Sequence, residues 1–69
     1  MQLSARNQIP AVVTGINYGE SIANVELSAC DSRLVSSITV EAAKQLGLEV
    51  GKEVIVIIKA SDVILATND

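Results

Sequence analysis

Glu53-Val54-Ile55-Val56-Ile57-Ile58-Lys59 is the stretch on which the fold turns. All five residues between the two charges are β-branched, the composition of a strand and not of a helix. In an extended chain Val54, Val56 and Ile58 share one face, while Ile55 and Ile57 take the other. Both faces therefore want burial. One can line a barrel interior. The other has no cover inside so short a chain, and a bare ribbon of this kind is an aggregation hazard. A second subunit is the simplest cover.

The surrounding sequence repeats the strand pattern more weakly. Ser21 to Ala29 predicts a strand with Ala23, Val25, Leu27 and Ala29 inward and Asn24, Glu26 and Ser28 outward. Before it, Val12, Thr14, Ile16 and Tyr18 share one face of a strand, opposite Val13, Gly15 and Asn17. Gly19-Glu20 joins the two as a hairpin, and Pro10, lacking an N–H, belongs at a strand start or an edge. Cys30-Asp31-Ser32 reads as the next turn, and Arg33 to Ile38 as a third strand.

Thr39 then resembles a helix N-cap, with Glu41 favouring the positive end of the dipole. The spacing of Val40, Ala43 and Leu46 predicts a helix over 40–46, closed by Gly47 as a left-handed cap with Leu48 supplying an apolar contact. So short a helix must lie as a plug on the sheet. After Ala60-Ser61, Val63 to Thr67 reads as a last strand. The expected architecture is all-β with one short helix, a five- to six-stranded barrel of the oligonucleotide/oligosaccharide-binding (OB) type, in a single domain over 1–69.

Composition narrows function by exclusion. The 69 residues are 49% hydrophobic but only 1% aromatic, contain no His, and have one Cys, Cys30. Without His the commonest general base and the Ser–His and Cys–His nucleophile pairs are missing, so no enzymatic activity is expected. One thiol makes neither a disulfide nor a zinc site. Five cations face eight acids, for a net charge of −3. Nucleic-acid binding, which rests on neutralised phosphates and aromatic platforms, is not expected. A chain of this size rarely gains more than ~3–5 kcal/mol from its own core, which again points to self-association. The start lacks the basic head and apolar stretch of a signal peptide, no run approaches the ~20 residues of a membrane span, and a lone thiol suits a reducing compartment. A cytoplasmic location with no membrane partner is the expectation.

Several polar residues stand at strand ends. Arg6 sits in Ser4-Ala5-Arg6-Asn7, before the first long strand; Lys59 closes the most apolar one and leads into Ala60-Ser61. Ser37 and Thr39 mark a third strand end. Guanidinium, ammonium, hydroxyl and backbone N–H donors suit a small oxyanion and not a metal cation. A unit-charge pair at ~4 Å is worth about 4 kcal/mol at an effective dielectric near 20. Desolvating an anion costs several kcal/mol, so one cation leaves a dianion near break-even, whereas two cations with charge-assisted hydrogen bonds give a surplus. Taken singly, each residue also has a plain role: Arg6 as a solvated strand start, Lys59 as an edge charge that blocks aggregation, Thr39 as a cap.

The combination goes further. Ser-Ala-Arg-Asn-Gln at 4–8, Ser-Ser-Ile-Thr at 36–39, Leu-Gly-Leu-Glu-Val-Gly-Lys-Glu-Val at 46–54 and Ile-Lys-Ala-Ser-Asp-Val at 58–63 resemble the molbindin (Mop) family of molybdate-binding domains of the TOBE/Mop type. The resemblance implies strand-exchanged dimers assembling into a hexamer, with molybdate or tungstate held at subunit interfaces and no further cofactor. It carries the ligands onto Ser4 and Arg6 with main-chain contacts from Ala5 and Asn7, onto Lys59, Ala60 and Ser61, and onto Thr39 of a neighbouring subunit. Cytosolic oxyanion storage and homeostasis is the function it implies. Relatives often have Gly at the turn occupied by Cys30-Asp31 and some have Ser where Ala42 stands. These departures keep an alternative open: a non-enzymatic assembly module with a vestigial anion site.

Overall fold

The computed structural model describes residues 4–68, in which the alternating patterns become four antiparallel strands and one short helix. In chain order these are β1 (Asn7–Tyr18), β2 (Ile22–Ala29), β3 (Ser32–Thr39), α1 (Val40–Gln45) and β4 (Glu53–Ile58), followed by a 3₁₀ turn at Ala60–Asp62. The strands form one sheet in the order β3-β2-β1-β4. β1 serves two partners. Its residues from Asn7 to Val12 pair with β4, and those from Val12 to Tyr18 pair with β2.

In β2 the alternation holds as read, with Ala23, Val25, Leu27 and Ala29 all buried. β1 departs from simple alternation. Val13 faces Leu27 and Gly15 faces Glu26, so Thr14 is the extra residue of a β-bulge. Ahead of it Ala11 and Val13 point inward; beyond it the inward position passes to Ile16, opposite Val25. The expected grouping of Val12, Thr14, Ile16 and Tyr18 is thus broken at the bulge, and Val12 and Thr14 face outward.

Cys30 and Asp31 both take positive φ, 50° and 64°, and close the β2–β3 hairpin between the paired Ala29 and Ser32. This is the two-residue primed geometry that follows the twist of the strands. Thr39 caps α1 by accepting from the Ala42 amide at 3.0 Å. Gly47, at φ 65°, ends it: the Gly47 amide donates to Lys44 O and the Leu48 amide to Ala43 O, a complete Schellman motif. Ala43 is fully buried against the sheet. Leu46, expected on the same stripe, is exposed at the rim of an open cavity of ≈190 Å³ between β3 and β4.

The core is thin. Ala11, Val13, Val25, Leu27 and Ala29 form it, and Val13 is its largest fully buried side chain. In β4, Val54, Val56 and Ile58 are half-buried, while Ile55 and Ile57 are 54% and 42% exposed, as the two-faced strand pattern anticipates. The expected last strand, Val63 to Thr67, does not form: it pairs with none of the described residues, and Ile64 and Leu65 are 92% and 89% exposed. Four strands leave the sheet open between β3 and β4 among the described residues.

Candidate functional site

Two of the polar strand ends meet. Asn7, the first residue of β1, pairs with Ile58, the last of β4, so the chain entering at Ser4-Ala5-Arg6 lies beside the chain leaving at Lys59-Ala60-Ser61. The Asn7 carboxamide Nδ2 donates to the Ile58 carbonyl at 3.1 Å across the junction. Gln8 Nε2 donates to Ala5 O at 3.3 Å and gathers the entering segment. Lys59 precedes the 3₁₀ turn, in which the Asp62 amide returns to Lys59 O at 2.9 Å. The amides of Ala60 and Ser61, in the first turn, have no acceptor within it.

Ser4, Arg6, Lys59, Ala60 and Ser61 are exposed, and Ala5 and Asn7 half-buried. Among the described residues the ion pair present is Arg33 with Glu26, on the outer face of β2 and β3, which leaves Arg6 and Lys59 without a carboxylate partner there. Asp62 is the acid nearest along the chain. No group of three or more Cys, Asp or Glu side chains among the described residues is arranged to hold a metal ion. The junction therefore offers positive charge and N–H and O–H donors, the chemistry of an oxyanion cup.

Thr39 and Ser37 lie elsewhere. Thr39 pairs with Ile22, next to the β1–β2 hairpin, at the opposite end of β1. The 12 residues of β1, at ~3.3 Å each, lay roughly 40 Å of chain between the two ends, in keeping with the longest molecular extent of 38 Å. One chain does not bring Thr39 to Arg6 and Lys59. The Thr39 oxygen accepts from Ala42, and its hydroxyl proton remains available to an anion. Ser37 differs, because its hydroxyl already donates to Asn24 Oδ1 at 2.5 Å.

Two contributions escaped sequence reasoning. The side chain of Asn7 does its bonding toward Ile58; a carboxamide at the first position of a strand is the only signal of it. Lys52 Nζ donates to the carbonyls of Leu46 and Gly47 at 2.7 and 3.3 Å, clamping the C-terminal end of α1. Nothing local to Lys52 announces that reach.

The TOBE domain family matches residues 3–65. The chain belongs to that family. Within it, the chain is 41% identical to a probable molybdenum-pterin-binding protein of Haemophilus influenzae, over 99% of this chain and 100% of that one. It is 38% identical to the molybdenum transport protein ModE of Azotobacter vinelandii, where it covers 99% of this chain but 26% of the longer protein. The fold matches a molybdate binding protein from Sporomusa ovata with a TM-score of 0.92 at 28% identity, covering 97% of this chain and all of the other. The expected mostly-β TOBE/Mop architecture with one short helix is thus the observed one. No helix among the described residues is long and apolar enough to cross a membrane.

Proposed function

We propose that this TOBE-family chain binds molybdate or tungstate without catalysing a reaction, as a single domain over 1–69 that stores and buffers the oxyanion in the cytoplasm. The ion sits at subunit interfaces, with Arg6, Lys59, Ser4, Ser61 and the backbone of Ala5, Asn7 and Ala60 from one copy and Thr39 from another. The observation that carries this is the Asn7–Ile58 junction, which gathers two cations with no acidic partner among the described residues. The relatives named for molybdenum or molybdate supply the ion. Ser37 is the weakest member of the set, its donor being engaged by Asn24.

Self-association completes the site. The accessible surface is 5556 Å², against ~4,100 Å² for a monomer of 7.2 kDa. The radius of gyration is 13.1 Å, against ~11 Å for a closed globule of this length. Both excesses fit a subunit that keeps an open seam and a projecting apolar tail. Exchange of 63–67 into a partner's seam closes an OB-type barrel in a dimer, and three dimers make the hexamer. The alternative of an assembly module with a vestigial site gains nothing from Cys30-Asp31, which close a regular hairpin; Ala42 gives its amide to the Thr39 cap but offers no hydroxyl ligand.

Calorimetric titration with molybdate tests the proposal on the native protein and on Arg6→Ala and Lys59→Ala. Loss of one charge-assisted contact, about 1.5–3 kcal/mol, weakens binding roughly ten- to a hundredfold. Equal binding by all three removes the junction from the site.

A further inference from the structure

We infer that the Asn7 side chain is a positioning residue, which sets the distance between the Arg6 guanidinium and the Lys59 ammonium without itself touching the ion. The inference rests on the junction being the oxyanion site and adds a role for a group that does not bind there. Asn7 and Ile58 are the terminal pair of the β1–β4 ladder, so the segments carrying Arg6 and Lys59 leave regular pairing one residue away on either side. The carboxamide Nδ2 spans the strands to the Ile58 carbonyl at 3.1 Å, adding a cross-strand bond where the ladder stops. This bond is half-buried, whereas Arg6 and Lys59 are exposed, so the rigid element of the junction is the Asn7 bridge and the cations hang from it. Without the bridge the last pair frays, as strand ends do, and two like charges separate. A dianion would then have to draw them back together at the expense of affinity.

A double-mutant cycle separates positioning from simple stabilisation. Molybdate affinity is measured by calorimetry on the assembled native protein, Asn7→Ala, Arg6→Ala and the double variant, with Asn7→Leu as a near-isosteric replacement in case Asn7→Ala assembles poorly. Asn7→Ala or Asn7→Leu is expected to weaken molybdate about tenfold. Arg6→Ala, ten- to a hundredfold weaker in the native background, is expected to cost only a few-fold more once the bridge is gone. Identical losses in both backgrounds, or Asn7 variants that bind like the native protein, overturn the positioning role while leaving the site standing. An Arg6→Ala variant that binds as tightly as the native protein overturns the site itself, and this inference with it.

Discussion

Lys52 folds back over the end of α1 and donates from Nζ to the Leu46 carbonyl at 2.7 Å, tying the turn before β4 to the helix it follows. The same turn docks on β1, with the Gly51 amide donating to Val13 O and the Val13 amide to Lys52 O. Lys52→Met keeps the aliphatic stem and removes the donor. It is expected to lower stability by about 0.3–1 kcal/mol, the range for a cation at an exposed helix C-terminus. Urea midpoints at matched protein concentration measure it.

Capping and binding at Thr39 can be separated by chemistry. Thr39→Ser retains the oxygen that accepts from Ala42 and the free proton, so stability and molybdate affinity are both expected to hold. Thr39→Asp retains a good cap but brings a negative charge and no donor. Its unfolding free energy in urea is expected to stay within about 0.5 kcal/mol of the native value, while calorimetry is expected to show molybdate bound at least ~10-fold more weakly. Unchanged affinity in Thr39→Asp would remove Thr39 from the site.

The β2–β3 turn holds two non-glycine residues at positive φ. Asp31→Gly relieves the steric cost of that conformation, roughly 1–2 kcal/mol, against the added entropy of the unfolded chain. A net gain of up to about 1 kcal/mol in denaturant unfolding is expected, with molybdate affinity unchanged because the turn holds none of the proposed ligands.

Ile64 separates a free tail from an exchanged one. At 92% exposure in the single chain, Ile64→Asp should change stability by no more than about 0.5 kcal/mol if the segment stays in water. If 63–67 fills a partner's seam, the same change buries a charge and is expected to dissociate the assembly in sedimentation velocity. Ile57→Glu, on the outer face of β4, is expected to dissociate or precipitate the protein by removing the apolar cover. A well-folded native monomer at micromolar concentration would contradict both expectations.

What was legible in the sequence follows from the range of the forces involved. The faces of β2, the caps at Thr39 and Gly47 and the division of β4 into two apolar faces are local patterns, and each is realised. The bulge at Thr14 is not local: it depends on the register of β1 against β2, and a period of two read along one strand passes over it. Val63 to Thr67 carries strand composition but pairs with none of the described residues, although the edges of β3 and β4 both stand open. For the site, the junction of Arg6 with Lys59 follows from the terminal Asn7–Ile58 pair, whereas Thr39 is held roughly 40 Å of strand away. The proposed arrangement of several copies would reunite them.

The most direct test is a crystal of the assembled protein soaked in tungstate, with the heavy atoms located by anomalous scattering. The expected result is a tungsten position between Arg6 and Lys59 of one subunit and Thr39 of another. Tungsten bound elsewhere, with Arg6 and Lys59 facing open solvent, would contradict the shared oxyanion site.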